Sequence, residues 1–156
     1  MNTQMMESKI DSAVKHLFDE QIQLTNIADY GISWEGLTNG DVVIPPYGLR
    51  FDLDFEGRLT GEVNGVIKGT DYLEIRADGK FQLQIQAKII TDDGEIIAVK
   101  EDGISTPGDD GTAILNLNMQ FYTVSEKYRW INKKQAWAVG QVDMLSGAVN
   151  MKCFSN

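Results

Sequence analysis

The fold of this protein is indicated most clearly by residues 81–100, which have the sequence FQLQIQAKIITDDGEIIAVK. Apolar and polar side chains alternate from Phe81 to Ile89, which is the period of a strand with one buried face. The pair Asp93-Gly94 then interrupts this alternation, and apolar residues resume at Ile96. Because both positions of an Asp-Gly pair tolerate positive φ, the stretch predicts two antiparallel strands joined by a tight turn.

The same pattern continues on both sides of this stretch. Turn-forming pairs recur at strand-length intervals, and Glu56-Gly57, Asp78-Gly79 and Ser146-Gly147 are examples. The predicted strands are 49–55, 58–67, 70–77, 81–91, 94–100, 112–123, 134–142 and 147–154. Eight strands joined mainly by short turns favour a mainly β fold, an eight-stranded antiparallel up-and-down barrel whose closure removes exposed edges. A two-sheet sandwich is the alternative.

The first 28 residues show a different period. Apolar residues recur at three- and four-residue steps, with charged residues between them: Ile10, Val14, Leu17, Phe18 and Ile22. The pattern predicts an N-terminal amphipathic helix within residues 1–28, ahead of a barrel over residues 49–154. We expect its apolar face to pack on the body of the domain, and binding to a partner is the alternative.

Length and composition restrict the class of protein. The chain has 156 residues, which is the size of one domain, and we expect 1–156 to form a single domain. The net charge of −9 argues against a nucleic-acid partner. One histidine, His16, and one cysteine, Cys153, argue against a histidine-rich metal site and an intramolecular disulfide. Phosphate-binding glycine motifs are missing. We therefore expect no cofactor and no metal.

No stretch of the sequence has the length and apolar character of a membrane span. Charged residues occur throughout the first twenty positions, so this segment lacks the apolar run of a secretory signal. We expect a cytoplasmic protein with no membrane partner.

Two of the predicted strands have an amide-rich face. Gln82, Gln84, Gln86 and Lys88 share one face of the strand 81–91, and asparagines and glutamines share one face of 112–123. Such a face is typical of a solvated exterior. It is also suited to hydrogen-bond a ligand inside a wet cavity, in which case Gln84, Gln86 and Lys88 would be ligand-binding residues. The sequence leaves both arrangements open.

Acid–base chemistry is suggested by Asp71 and Tyr72, which follow Gly69 at the head of a predicted strand. A carboxylate there is suited to take a proton while a phenol hydrogen-bonds to a developing oxygen charge. The alternative is a carboxylate that caps the turn beside a tyrosine at the edge of the sheet. Asp52 and Asp54 share one face of a neighbouring strand, either as a ligand-binding pair of acids or as a solvated stripe.

Aromatic residues cluster near the predicted mouth of the barrel. Tyr128 is suited to orient a substrate oxygen, and Trp130 is suited to stack on a flat ligand. Filling of the core is the alternative role for both.

The order of several short motifs resembles the family known as domain of unknown function 3237, over residues 49–154. The motifs are Gly69-Thr70-Asp71-Tyr72, Asp78-Gly79, Thr91-Asp92-Asp93-Gly94, Ile96-Ile97, Gly103, Phe121 and Tyr128-Arg129-Trp130-Ile131-Asn132. The resemblance implies a calycin-like or allene-oxide-cyclase-like barrel that forms a homo-oligomer. Some fungal members look like cofactor-free cyclases. Many members carry an Asp-x-Arg pair where this chain has Gln84 and Gln86, so a charge-dependent role there is not expected.

These observations lead to three hypotheses of function. The first is a barrel that binds a small oxygenated compound and acts as a cofactor-free isomerase or cyclase. Asp71 would be its acid or base, Tyr72 or Tyr128 would orient the oxygen, and Trp130 would shape the pocket. The second is a non-catalytic protein that binds a small molecule in the same cavity. The third is an oligomeric interaction protein with a filled barrel, assembled through the N-terminal helix.

Overall fold

The computed structural model describes residues 2–7 and 14–156, and strands account for most of them. A short helix, α1 (Trp34–Thr38), lies in the connection from the first strand to the second, and a 3-10 helix (Arg129–Lys133) precedes the seventh. The strands are β1 (Lys15–Asp29), β2 (Leu49–Gly61), β3 (Gly65–Ile75), β4 (Phe81–Thr91), β5 (Ile96–Pro107), β6 (Thr112–Tyr122), β7 (Ala136–Asp143) and β8 (Ala148–Ser155).

The eight strands form a closed barrel in which each strand is antiparallel to its neighbours in sequence. Closure is completed by β1, which pairs with β2 on one side and with β8 on the other. No strand in this sheet therefore has an unpaired edge. The predicted mainly β, eight-stranded up-and-down barrel is confirmed, and the sandwich alternative is excluded.

The N-terminal helix predicted over residues 1–28 is wrong for most of its length. Residues 3–7 are helical, but residues 15–29 form strand β1, and Ile10 lies outside the described residues. Phe18 and Ile22 are four residues apart, a spacing that places two side chains on one face of a helix and equally on one face of a strand. Pairing with β2 and β8 selects the strand, so the barrel begins at Lys15 rather than near residue 49.

The predicted strands 49–55, 58–67 and 70–77 are in fact two strands, because the chain does not turn at Glu56-Gly57. Strand β2 continues through Gly57, where a Cβ would lie 2.2 Å from the carbonyl oxygen of Gln21. The glycine here permits close approach of β1. The turn comes later, where the Asn64 side chain accepts a hydrogen bond from the Gly61 N–H and donates one to the Gly61 carbonyl oxygen.

The alternation along the strands places apolar side chains in the lumen and polar ones outside. One end of the lumen is covered by α1 and is called here the Trp34 end. The opposite end is closed by the buried side chain of Ile131 from the 3-10 helix and is called the Ile131 end.

Within residues 2–7 and 14–156, every helix is too short or too polar to cross a membrane.

Candidate functional site

A cavity of about 70 Å³ lies inside the barrel at the Trp34 end. Its walls are mostly aliphatic and aromatic, and three polar side chains interrupt them: Asp71, Glu101 and Ser105. A water needs roughly 10–15 Å³ of such space, so the cavity has room for several waters or one small organic group. It is small beside the ~300–1,000 Å³ of typical ligand pockets.

The cavity is covered by Trp34, the first residue of α1. Ser33 caps this helix and accepts a hydrogen bond from the Gly36 N–H at 3.0 Å. The Trp34 ring packs edge-on against Phe51 with ring centroids 5.1 Å apart, and its Nε1–H donates to the Met144 carbonyl oxygen at 3.0 Å. These contacts, to Phe51 in β2 and to Met144 directly after β7, hold the indole ring across the mouth of the cavity.

Asp71 projects into the lumen from β3 and is 5% exposed. One carboxyl oxygen, Oδ1, accepts a hydrogen bond from the Gln84 backbone N–H at 3.1 Å. Burial raises the pKa of the Asp71 carboxyl to about 7, because the charged form loses its hydration, and the bond from Gln84 opposes that shift. Asp71 is therefore able to exist in either protonation state near neutral pH.

Glu101 projects into the same cavity from β5. It lies level with Asp71, since both residues are register partners of Ile85 in the intervening strand. Among the described residues, Oε1 of Glu101 has no hydrogen-bond partner, and neither has Oγ of Ser105, which lines the cavity further along β5. Burial, and then the charges of Glu20 and Asp71, raise the pKa of Glu101 well above its usual range. This environment therefore favours the neutral form of the Glu101 carboxyl.

Glu20 is a third buried carboxyl, and it projects from β1 outside the cavity lining. Within residues 2–7 and 14–156, neither of its carboxyl oxygens has a hydrogen-bond partner, and burial raises the pKa of Glu20. Burial, and then repulsion by the charges of Glu20 and Glu101, also raise the pKa of the Cys153 thiol. Because the thiolate is the reactive form, this thiol is a poor nucleophile. Within the described chain, no three His, Cys, Asp or Glu side chains are grouped as metal ligands would be.

The structure separates Asp71 from the tyrosines predicted to act with it. Tyr72 is adjacent to Asp71 in β3 and therefore points to the opposite face, where 47% of it is exposed. Asp52 and Asp54 also lie on the outer face. Asp52 accepts a hydrogen bond from the Tyr30 hydroxyl at 2.7 Å, and Asp54 accepts one from the Thr70 hydroxyl at 2.7 Å. Asp52 and Asp54 therefore match the alternative of a solvated stripe on the outer surface and do not form a pair of acids in the lumen.

The amide-rich faces lie outside the barrel. Gln84, Gln86 and Lys88 are exposed, whereas the alternate residues Leu83 and Ile85 are buried. The arrangement with an amide-lined lumen is therefore wrong, because the aliphatic face of each strand packs inside and the amides remain hydrated. None of these three polar residues lines the cavity that contains Asp71.

Tyr128 and Trp130 lie at the Ile131 end, away from the cavity. The Tyr128 hydroxyl donates to Asp93 Oδ1 at 2.9 Å, in the turn between β4 and β5. Lys127, Thr91 and Tyr128 all bond to this carboxylate and hold the pKa of Asp93 well below its usual range. Trp130 is half-buried against the core. Their contacts fit the alternative role of closing the barrel.

Sequence reasoning missed Glu101, Ser105 and Glu20. Glu101 and Ser105 could have been found from the alternation along β5. The positions of this strand that point inward are Ile97, Val99, Glu101, Gly103 and Ser105. A charged residue in the apolar phase of a strand indicates a lumenal acid. The prediction ended this strand at residue 100, directly before Glu101 and seven residues before the end of β5, and it placed Glu20 in a helix.

Known structures share this barrel. A protein of unknown function from Clostridium acetobutylicum is 22% identical, with a TM-score of 0.74 over 91% of this chain and 97% of that one. A β-barrel-like protein from Acinetobacter baumannii is 21% identical, with a TM-score of 0.71 and coverages of 91% and 94%. An enzyme from Penicillium herquei is 21% identical, with a TM-score of 0.64 and coverages of 91% and 92%. At these identities the likeness shows the fold.

Among curated proteins, none matches this chain. The model of one protein family does match, over residues 49–155, which is more than half of the chain. This range begins at β2 and ends with β8, and the ordered motifs that suggested the resemblance lie inside it. The chain therefore belongs to the family described as protein of unknown function (DUF3237).

Proposed function

We propose that this protein binds the oxygenated end of a small, neutral organic compound in the cavity and moves protons on it as an isomerase or cyclase without a cofactor. The observation that carries the proposal is the pair Asp71 and Glu101, two buried acids on the wall of an otherwise apolar cavity. Buried acids with raised pKa values are typical of sites that transfer protons near neutral pH.

The charge of the lumen selects the ligand. Among the described residues, no lysine, arginine or histidine is buried, so an anionic ligand would find no partner there. A neutral carbonyl compound suits the site, because a protonated carboxyl donates a hydrogen bond to its oxygen. The volume of about 70 Å³ admits a small ring or chain end, and displacement of Trp34 would admit a larger remainder.

A difference between the environments of the two acids supports a different role for each. Asp71 accepts a backbone hydrogen bond that favours its carboxylate, whereas Glu101 faces other acids that favour its neutral form. Asp71 would remove a proton from the carbon next to a carbonyl group while Glu101 donates a proton to the carbonyl oxygen, which forms an enol. Return of a proton to carbon and loss of the enol proton complete an isomerisation.

One structural neighbour supports a catalytic role for this fold, since the protein from Penicillium herquei is described as an enzyme. At 21% identity this neighbour says nothing about the substrate of the present chain. The chemistry proposed here therefore depends on Asp71 and Glu101.

The proposal is tested by hydrogen–deuterium exchange at the α-carbon of cyclopentanone in D₂O, followed by proton NMR. We expect the protein to accelerate this exchange, and the rate to rise with pH through about 7 as Asp71 ionises. Asp71→Asn should lower the acceleration at least ~100-fold, since general acid–base groups contribute roughly 10²–10⁴. Shifts of protein amide resonances on adding cyclopentanone should persist in this variant.

The matched control is Asp102→Asn, because Asp102 follows Glu101 directly but is exposed on the outer face. Wild-type exchange in Asp71→Asn would reject the role of Asp71. Saturable binding of cyclopentanone without any exchange would instead identify a non-catalytic binding protein.

A further inference from the structure

Glu20 is a buried carboxyl group that the proposed chemistry does not use. It is 1% exposed, neither of its carboxyl oxygens has a hydrogen-bond partner among the described residues, and it does not line the cavity. Burial of a carboxyl without a hydrogen-bond partner is destabilising, because the group loses its hydration and gains nothing in return. Such a group is seldom kept in a lumen that an aliphatic side chain would fill equally well.

The topology of the barrel brings Glu20 towards Glu101. Strands β1 and β5 are four positions apart in a closed ring of eight, so they form opposite walls. Glu20 and Glu101 are each the sixth residue of a strand that begins at the Ile131 end, so they lie at a similar depth in the barrel, and both are buried at inward-facing positions. Among the described residues, Oε1 of Glu101 also lacks a hydrogen-bond partner. Burial first, and then the charges of both carboxyls, raise the pKa of the Cys153 thiol on β8.

Among the residues that the structure describes, no positive charge lies beside this pair to compensate its ionisation. Asp71 on β3 and the Cys153 thiol on β8 are the titratable groups facing it within the described chain. The other walls present Leu59 on β2, Ile85 on β4, Met119 on β6 and Ala138 on β7. With no cation in this low-dielectric interior, ionising both glutamates together is strongly unfavourable.

We propose that Glu20 and Glu101 ionise as a coupled pair, and that Glu20 is a positioning residue which, once ionised, delays the loss of the Glu101 proton and so keeps Glu101 a proton donor towards the cavity above neutral pH. Glu20 acts across the barrel axis by charge repulsion and does not touch the substrate. The catalytic consequence rests on the proposed function, whereas the coupling is a property of the ligand-free protein. Through Glu20, strand β1 becomes part of the acid–base site, although the Glu20 carboxyl does not line the cavity.

The test is a pH titration of the glutamate Cδ resonances in the full-length, ligand-free protein labelled with ¹³C-glutamate. We expect Glu101 to lose its proton at a lower pH in Glu20→Gln than in the wild type, by at least about one pH unit, because removing a like charge favours ionisation. Glu56→Gln is the matched control, since Glu56 is exposed on the outer face of β2 and loses the same charge.

An unchanged Glu101 midpoint in Glu20→Gln would overturn the coupling. If Glu20→Gln does not fold, the titration curves of Glu20 and Glu101 in the wild-type protein test the coupling by themselves. Coupled acids each show two inflections, one at its own ionisation and one at that of its partner. Single, independent titration curves for Glu20 and Glu101 would therefore also overturn the proposal.

The catalytic consequence has a separate readout. The alkaline limb of the pH profile for cyclopentanone exchange should move to lower pH in Glu20→Gln by the same amount as the Glu101 resonance. If the Glu101 titration shifts but the alkaline limb of the exchange profile does not, Glu101 is rejected as the proton donor, while its coupling to Glu20 stands. Absence of any exchange would reject the proposed function and leave the titration result standing.

Discussion

The two halves of the lumen are built from the same strands and the same alternation, yet they differ in packing. Towards the Ile131 end, four inward residues that lie together are 0% exposed: Leu59, Ile67, Ile89 and Ile97. Towards the Trp34 end, Leu53, Leu83, Ile85, Leu115 and Met151 are 5–6% exposed around the cavity. The difference teaches that alternation places side chains inside a barrel but does not decide whether they fill it.

The buried acids lie between these two halves. On β3 and β5, Ile67 and Ile97 lie on the Ile131 side of Asp71 and Glu101, whereas Leu73 and Ser105 lie on the cavity side. A carboxyl in the filled half would be surrounded by hydrocarbon, whereas one beside the cavity is able to meet water or a ligand. The boundary is therefore where an acid in the lumen is able to perform chemistry.

The largest expected difference between the halves is the effect of truncating isoleucines on β4. Ile89→Ala should lower the free energy of unfolding towards the upper part of the ~2–5 kcal/mol range for buried aliphatic truncations, because it leaves a new void in a filled region. Ile85→Ala should lie near the bottom of that range, because Ile85 already borders a cavity and its loss admits water to two acids.

Denaturant unfolding measures the loss of stability in each variant. Each variant is the matched control for the other, because both truncate an isoleucine on β4. Equal losses of stability would show that the two halves are packed alike, and the distinction between them would fail.

The next effect concerns pH. Asp71 has a pKa of about 7 in the folded protein and about 3.9 when unfolded, so the folded state holds its proton more tightly. Its contribution to stability is complete below pH ~4 and is lost as pH rises through about 7. Glu20 and Glu101 act in the same direction, so the loss should continue into the alkaline range.

Asp71→Asn should therefore be more stable than the wild type at pH 8, by at most about 4 kcal/mol for a shift of three pKa units. Thermal unfolding between pH 4 and pH 9 measures the effect, and Asp102→Asn provides the exposed control. A wild-type protein whose stability rises steadily from pH 4 to pH 8 would contradict the burial of a neutral Asp71.

The smallest expected effect lies at the Ile131 end. Tyr128→Phe removes one hydrogen bond to Asp93, which retains its bonds to Lys127 and Thr91. The free energy of unfolding should fall by about 1 kcal/mol, the usual net value of one hydrogen bond. Exchange of cyclopentanone should stay at the wild-type rate because Tyr128 does not line the cavity. A slower exchange would restore Tyr128 as a candidate catalytic residue.

Much of the barrel could be predicted from local sequence. Asp78-Gly79, Asp93-Gly94 and Ser146-Gly147 all form turns, and Gly79, Gly94 and Gly147 adopt positive φ. The errors occurred where a local pattern has two meanings. Glu56-Gly57 is both a turn signal and a means of close approach between strands, and Phe18 with Ile22 fits a helix as well as a strand.

The candidate site was predicted in part. Asp71 was identified as an acid of interest, and it does project into the lumen. Its proposed partners were chosen by proximity along the chain or by aromatic character, and both criteria ignore the inward or outward phase of a strand. Glu101 is thirty residues away in sequence but is level with Asp71 through their common partner Ile85.

The sequence alone determined that this chain forms strands with short turns, because alternation and turn chemistry depend on neighbouring residues. The tertiary structure decided which face of each strand turns inward, which segment becomes the closing strand, and which acids meet in the lumen. Those outcomes depend on hydrogen bonds and packing between residues distant in sequence. Pairing of β1 with both β2 and β8 is such a contact, and it brings Glu20 into the interior.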